Sequence, residues 1–179
     1  PNGAGKTTTL RLLMGFVKPT PGTATIFGLD TWSCAVELKR RVGFLPDTIS
    51  VPTGLTANEF LAYVSRLRGY KGPPPLHQEL LDRLELSKSS LSRQVTNFSQ
   101  GMKKKLGLVQ AMQHDPELIV MDEPTEALDP LMRHEFFSLL REWHSRGKTI
   151  FMSSHTLPDV DEVCECVAII RDGKVIKAS

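Results

Sequence analysis

Four segments of the chain carry apolar residues at helical spacing. Residues 8–15 and 80–84 place them on one face of a helix, and residues 130–146 do the same with Phe, Leu and Trp side chains. Residues 56–67 repeat the pattern and open with the Thr-x-x-Glu spacing of a capping box. We therefore predict a helix in each of these segments.

Shorter apolar runs predict strands. Residues 23–27 alternate between two turns, and residues 42–45 end at a proline. Residues 118–121 and 149–152 are unbroken apolar runs, which is typical of central parallel strands covered on both faces. Within residues 167–176, two apolar pieces flank an Asp-Gly turn, and this pattern predicts a β-hairpin.

The order of these segments indicates an α/β fold. Strands and helices alternate on both sides of residues 54–98, which predicts a mainly parallel central sheet flanked by helices. Residues 54–98 contain helical patterns, a Gly-Pro-Pro-Pro break and a Ser-rich loop. We predict a single domain over residues 1–179, with residues 54–98 as an inserted helical subdomain and residues 99–179 returning to the sheet.

Composition narrows the class of protein. With 179 residues, 40% of them hydrophobic, the chain can bury a sizeable core. The net charge of +2 comes from 22 basic and 20 acidic residues mixed along the chain, so we expect no direct nucleic-acid partner. No run approaches the roughly 18 apolar residues of a membrane span, and the first residues lack a signal-peptide layout. We therefore expect a cytosolic protein.

The three cysteines indicate no special chemistry. They form an odd set without a CxxC pair, so the sequence predicts neither a disulfide framework nor a zinc site. Cys164 and Cys166 would suit a soft metal, but two small apolar residues entering a strand are the commoner explanation.

The chain opens inside a phosphate-binding motif. Residues 1–8 match the P-loop pattern G-x-x-x-x-G-K-[ST] at every position but the first glycine, which would precede Pro1. We therefore expect an N-terminally truncated sequence that lacks upstream strands. Glycines in such a loop let backbone N–H groups approach phosphate oxygens, and the helix that follows adds the positive end of its dipole.

This motif assigns roles to individual side chains. Lys6 would reach the β and γ phosphates, and the hydroxyl of Thr7 would bind Mg²⁺. The simpler alternative is a glycine-rich turn with an exposed lysine, but four motif residues at the correct spacing ahead of a helix argue against it. The candidate phosphate-binding residues are Asn2, Gly3, Ala4, Gly5, Lys6, Thr7 and Thr8.

Two adjacent carboxylates follow the predicted strand at residues 118–121. Ligands bind open α/β sheets at the carboxyl ends of their strands, so Asp122 and Glu123 lie where a ligand is expected. Asp122 suits a ligand of Mg²⁺, and Glu123 suits a general base that polarises an attacking water. The alternative is two acids that open a turn before Pro124.

Residues 97–102 resemble a family signature. The run Asn-Phe-Ser-Gln-Gly-Met is similar to the signature motif of ABC ATPases, usually written LSGGQ. Ser99 and Gly101 match that motif, whereas Gln100 and Met102 replace its glycine and glutamine. The segment lies between the predicted helical insertion and the carboxylate strand, as in the family, and begins a predicted apolar helix.

Two further motifs resemble the same family. Ala-Leu-Asp-Pro at residues 127–130 is similar to the D-loop and makes Asp129 a candidate nucleotide-binding residue. His155 follows the strand at residues 149–152 and resembles the switch histidine, which would contact the γ-phosphate and Glu123. The other four histidines have no such placement and are expected to be solvated: His77, His114, His134 and His144.

The sequence departs from the family pattern at two points. Asp47 stands where most relatives have the Q-loop glutamine, which contacts Mg²⁺ and the attacking water. A carboxylate there would hold Mg²⁺ through water but adds negative charge near the γ-phosphate, and simple turn chemistry after Pro46 is the equal alternative. The adenine-stacking aromatic residue of relatives precedes the P-loop, so no residue of this sequence takes that role.

Lys103, Lys104 and Lys105 lie in the first turns of the predicted signature helix. There they oppose the helix dipole, which nearby anions would compensate. A solvated basic face is the expected explanation.

The resemblance implies an ATP- and Mg²⁺-dependent ATPase of the ABC type, most similar to bacterial ABC-2 exporters. In this family, ATP lies between the P-loop of one domain and the signature of a second domain arranged head to tail. The expected partners are therefore a second copy and a membrane-spanning permease, with the chain on the inner face of the cell membrane. The alternatives are a soluble ABC ATPase that acts on ribosomes or DNA, and an ABC regulatory module without hydrolysis.

Overall fold

Three parallel strands organise the protein in a computed structural model that describes residues 3–178. Asn2 therefore lies outside the described residues. Helices surround these strands, and two short antiparallel pairs complete the fold. The elements are α1 Lys6–Leu13, β1 Thr25–Ile26, β2 Leu29–Asp30, α2 Ala35–Arg41, β3 Val42–Leu45, α3 Ala57–Leu67, α4 His77–Arg83, α5 Lys88–Leu91, α6 Gln100–Met112, β4 Leu118–Asp122, α7 Pro130–Ser145, β5 Thr149–Ser153, α8 Leu157–Val163, β6 Ala168–Arg171 and β7 Lys174–Ala178.

The central sheet has the order β3-β4-β5, and all its pairings are parallel. Leu45 pairs with Met121, and Asp122 pairs with Ser153. Because parallel strands end at the same edge of a sheet, the residues that follow β3, β4 and β5 meet there. The predicted α/β fold with a parallel central sheet is confirmed.

The two long apolar runs differ in how they are covered. All five residues of β4 are buried, as predicted for residues 118–121. The same prediction for residues 149–152 is wrong, because Thr149 and Phe151 of β5 are exposed, Phe151 to 43%. The other face, with Ile150 and Met152, packs against the main core. Among the described residues only one face of β5 is covered.

Close contact between α6 and β3 depends on two glycines. A Cβ atom on Gly43 would lie 2.1 Å from the carbonyl oxygen of Ala111 in α6. A Cβ atom on Gly107 of α6 would lie 2.7 Å from Cδ1 of Leu45 and 2.2 Å from Cδ1 of Ile49. Because neither glycine has a side chain, α6 can pack closely against β3 and the loop that follows it.

Residues 54–98 contain α3, α4, α5 and a short 3₁₀ turn at Val95–Asn97. The Thr56–Glu59 capping box begins α3 as predicted, since Thr56 and Glu59 bond each other's backbone N–H groups. Apolar side chains from these helices join one core with α6, α7 and β4: Phe60, Leu61, Leu80, Leu84, Leu106, Ile119 and Phe136.

Several predicted boundaries shift. The first helix begins at Lys6, directly after the P-loop, and ends at Leu13. The strand predicted over residues 23–27 is reduced to Thr25–Ile26, because Phe27 and Gly28 have positive φ angles and turn the chain into β2. The hairpin near the end of the chain is confirmed as β6 and β7. No helix among residues 3–178 is both long and apolar enough to cross a membrane.

The prediction of four solvated histidines is wrong for His114. This side chain follows α6 and is only 7% exposed. It lies beside Arg40 of α2 and beside residues 68–70, which follow α3. His77 is half-buried and bonds Gln113 through Nδ1 at 2.7 Å. His134 and His144 are exposed as expected.

The glycine contact in β3 predicts a loss of stability. Replacing Gly43 by Ala forces its Cβ against the Ala111 carbonyl oxygen, and overpacking of this kind costs about 1–3 kcal/mol. Gly72→Ala is the matched control, because its Cβ would meet nothing within 4 Å. Urea unfolding should show the loss for Gly43→Ala only, and equal midpoints for both variants would contradict the close approach of α6.

Burial of His114 predicts a pH dependence of stability. Burial, followed by the nearby Arg68 charge, lowers the pKa of His114 from 6.5 to about 4. Between these values the unfolded chain binds a proton that the folded chain does not, so stability falls as pH falls through this window, by up to about 3 kcal/mol.

Unfolding curves from pH 7 to pH 4.5 test this dependence, because most carboxylates titrate below that range. His114→Gln should flatten the acid loss relative to wild type, whereas the exposed control His134→Gln should retain it. Parallel curves for wild type and His114→Gln would show that His114 is not the group responsible.

Candidate functional site

A cavity of about 500 Å³ opens at the edge where β3, β4 and β5 end. The P-loop forms one wall, and residues from the three strand ends form the other. Its lining residues are Gly3, Ala4, Gly5, Lys6, Thr7, Thr8, Asp47, Asp122, Glu123, Glu126 and His155. The fold therefore brings the described P-loop residues together with Asp47, Asp122, Glu123 and His155.

Glu123 lies at the centre of the charged groups. Its Oε1 atom is 2.8 Å from Nζ of Lys6, and its Oε2 atom is 2.9 Å from Nδ1 of His155. The backbone N–H of His155 also donates to Oε2 at 3.2 Å. The P-loop and the end of β5 thus fix the Glu123 carboxylate from two sides.

The electrostatic balance keeps Glu123 ionised. Partial burial favours the neutral form, but the hydrogen bonds and charges of Lys6 and His155 outweigh it and hold the pKa of Glu123 below its ordinary value. Glu123 also has a φ angle of 47°, a left-handed conformation that is rare outside glycine. Such backbone strain persists only where surrounding contacts enforce it.

Asp122 is held between the P-loop and β5. The hydroxyl of Thr7 donates to its Oδ2 atom at 2.7 Å, and the hydroxyl of Ser153 donates to Oδ1 at 2.5 Å. Ser153 also accepts a hydrogen bond from the backbone N–H of Glu123 at 3.2 Å. Sequence analysis did not select Ser153, although its place two residues before His155 was available as a signal.

The residues of the cavity suit a nucleotide phosphate with Mg²⁺. Thr7 and Asp122 offer adjacent hard oxygen ligands of the kind that Mg²⁺ prefers. A Cβ on Gly3 would meet no atom within 4 Å, so the loop backbone faces open space, and α1 begins directly behind it. Among the described residues, no group of three or more His, Cys, Asp or Glu side chains is placed to hold a metal ion. A bound Mg²⁺ would therefore depend on Thr7 and Asp122 together with oxygen atoms of the nucleotide.

Asp47 follows β3 and lines the cavity opposite the P-loop. Its side chain is half-exposed, and its Oδ1 atom lies 3.8 Å from Nζ of Lys104. Asp47 therefore faces the site with a lysine behind it.

The expectation of a solvated basic face at residues 103–105 is wrong for two of the three lysines. The Lys105 side chain is 14% exposed and pairs with Glu85 at 3.4 Å. Lys104 departs further from the expectation. Its side chain is only 6% exposed and reaches from α6 to the carbonyl oxygens of Asp47 and Glu123, at 2.9 and 3.0 Å. Helical periodicity turns position 104 inward, next to the buried Leu108. Helical periodicity could have predicted the burial of Lys104, but a charged side chain is ordinarily expected to be exposed.

The structure does not bring the signature residues into this cavity. The hydroxyl of Ser99 caps α6 by accepting from the N–H of Met102 at 3.2 Å, and Ser99 and Gln100 are exposed. A Cβ on Gly101 would lie 2.8 Å from the carbonyl oxygen of Ala127.

Asp129 also lies outside the cavity lining. It caps α7 by accepting from the N–H of Met132 at 3.0 Å. The signature residues and Asp129 thus lie on surface separate from the chain's own P-loop cavity.

Comparison with known proteins agrees with this arrangement. The family model described as ABC transporter matches residues 1–126. The bacitracin transport ATP-binding protein BcrA of Bacillus licheniformis is 38% identical to the chain over 98% of the chain and 57% of BcrA. The ABC transporter ATP-binding protein NatA of Bacillus subtilis is 37% identical over 98% of the chain and 72% of NatA.

A Nod factor export ATP-binding protein I of Burkholderia orbicola is 36% identical over 98% of the chain and 58% of that protein. The chain thus spans little more than half the length of several curated relatives. Among solved structures, an ATP-binding subunit of an ABC transporter superposes with a TM-score of 0.89 at 29% identity, covering all of this chain and 75% of that subunit.

A dimeric bacterial ABC transporter cassette shares the fold with a TM-score of 0.88, over all of this chain and 82% of the cassette. Its 24% identity makes this a likeness of fold alone. The matched family model and the relatives agree with the P-loop, Asp122, Glu123 and His155 around one cavity: this chain belongs to the ABC transporter family and has the P-loop NTPase fold of its ATP-binding subunits.

Proposed function

We propose that this chain binds ATP with Mg²⁺ and hydrolyses it, and that hydrolysis powers export through a membrane-embedded partner. One observation carries the proposal: the Glu123 carboxylate is held by Lys6 and His155 directly beside the Thr7–Asp122 pair. A base, a cation and a pair of metal ligands therefore converge on one cavity. Phosphoryl transfer needs this combination.

Each group has a role in the hydrolytic step. Thr7 and Asp122 would hold Mg²⁺, which would neutralise charge on the phosphates when bound. Glu123, whose carboxylate keeps its hydrogen bond to His155, accepts a proton from the water that attacks the γ-phosphorus, and the bond to ADP breaks. Lys6 moves from the Glu123 carboxylate to the phosphate oxygens, and His155 keeps Oε2 oriented. Catalysis is by positioning and charge stabilisation.

The signature residues would complete the site of a second copy. Ser99, Gln100 and Gly101 are at the N-terminal end of α6, a 13-residue helix whose dipole favours phosphate there. Because they lie outside the chain's own cavity, a head-to-tail pair is the arrangement that uses them. Asp129 would contact the opposite nucleotide site from the end of the D-loop.

The proposed transport function follows from the relatives. Two of them are named for bacitracin transport and Nod factor export. We infer that this chain acts on the inner face of the cell membrane, bound to a permease whose pocket selects the substrate. Asp47, between the P-loop cavity and α6, is the candidate that would link Mg²⁺ and water in the site to that partner.

Replacing Glu123 by Gln tests the proposed base. In the full-length protein, phosphate release should fall by on the order of 10²-fold or more, because the amide cannot accept the proton. ATP binding should persist, since Lys6, Thr7 and Asp122 are unchanged. A phosphate-release assay and a fluorescent-nucleotide titration measure the two effects separately.

Glu37→Gln is the matched control, because Glu37 is exposed on α2, away from the cavity. This variant should retain wild-type turnover. Hydrolysis by Glu123→Gln near the wild-type rate would disprove the assignment of Glu123. A wild-type protein that binds ATP but releases no phosphate, with or without its membrane subunit, would favour a regulatory module instead.

A further inference from the structure

Lys104 is a buried cation in the fold with no role in the hydrolytic step described above. It projects from α6 toward the back of the P-loop cavity and donates to two backbone carbonyl groups, those of Asp47 and Glu123. Burial is costly for a lysine and lowers the pKa of its ammonium group, while the charge of Asp47 and three further carboxylates opposes this shift. Because burial of its ammonium group is unfavourable, we looked for a specific role for Lys104 in its two hydrogen bonds.

The two carbonyl groups belong to the segments that carry the reactive groups. Asp47 begins the loop after β3, and Glu123 follows β4 with its strained φ of 47°. Ser153 accepts from the N–H of Glu123, so Lys104 and Ser153 hold the two sides of this one residue's backbone. Removal of Lys104 would take its donor from the partly buried Asp47 carbonyl and leave the Glu123 carbonyl with only the N–H of Glu126, at 3.3 Å. The strained Glu123 backbone would then be held less firmly on that side.

Lys104 also connects this site to the exposed end of α6. The side chain is four residues beyond Gln100, the first residue of the helix, and Gly107 and Gly43 let α6 pack in close contact with β3 and the loop that follows it. The Lys104 ammonium group therefore joins α6, four residues from its exposed N-terminal end, to the Asp47 and Glu123 carbonyl groups by two hydrogen bonds.

We propose that Lys104 is a positioning residue that sets the Glu123 carboxylate relative to Asp47 and couples both to the signature end of α6. This inference rests on the proposed function, because Glu123 acts there as the base. It adds a claim about an otherwise unused residue: the geometry of the hydrolytic site is maintained from α6, the helix that would contact the nucleotide of a second copy.

Lys104→Met in the full-length protein is the first test. Met has a similar length but no donor, so kcat for ATP should fall by about 10- to 100-fold, as expected for a misplaced reacting group. KM should change by less than about threefold, because the P-loop contacts remain. Lys103→Met is the matched control on the same helix; among residues 3–178, Lys103 forms no ion pair, and its kcat should equal that of wild type.

Two further variants separate positioning from other roles. Lys104→Arg retains a donor of similar reach and should recover at least part of the lost kcat. Asp47→Asn keeps the Asp47 carbonyl but removes the negative charge that Lys104 balances. If Lys104 acts by positioning, the double variant Asp47→Asn with Lys104→Met stays impaired; recovery to near wild type would show charge balance alone and overturn the proposal.

Hydrogen exchange tests the position of Lys104 without any measurement of activity. Without nucleotide, backbone amides at residues 48–50 and 124–126 should exchange faster in Lys104→Met than in wild type or Lys103→Met, with equal thermal midpoints for global unfolding. If Glu123→Gln hydrolyses ATP normally, the proposed base fails while the exchange result still decides the position of Lys104. Unchanged exchange and unchanged kcat in Lys104→Met would disprove the inference.

Discussion

The functional site depends on a buried carboxylate at the end of a fully apolar strand. Asp122 is 2% exposed and ends β4, whose four preceding residues are buried and apolar. Such a group is tolerated only where hydrogen bonds compensate its loss of hydration. Thr7 and Ser153 supply those bonds. The hydrogen bonds of Asp122 therefore connect the P-loop, β4 and β5 at one residue.

Charge balance then organises the groups around that point. Asp47, Asp122 and Glu123 would repel one another in the same cavity if they were uncompensated. Lys6 reaches Glu123 from the P-loop, His155 bonds it from β5, and Lys104 approaches from α6. One cation, Lys6, lies on the P-loop side of these carboxylates, and a second, Lys104, lies on the α6 side. This arrangement also gives the Asp47 carboxylate a positively charged neighbour in Lys104.

Sequence predicts the parts of this site that are contiguous in the chain. The P-loop residues are adjacent in the chain. Asp122 and Glu123 end an apolar run and His155 follows the next one, so parallel pairing of β4 and β5 brings these three residues to one edge. The burial of Lys104 and of His114 was not predicted, because it depends on how α6 meets β3, β4 and α3. The exposure of Phe151 was missed for a related reason, since an apolar run does not reveal which face of a strand is covered.

The central claim is that ATP is hydrolysed at the β4 edge by Glu123, against the signature of a second copy. The most direct measurement is a crystal structure of full-length Glu123→Gln protein with ATP and Mg²⁺. We expect the γ-phosphate to be contacted by Lys6 and His155 of one copy and by Ser99 and Gly101 of the other, with Mg²⁺ at Thr7 and Asp122. ATP bound away from the P-loop, or at a P-loop facing no second copy, would contradict it.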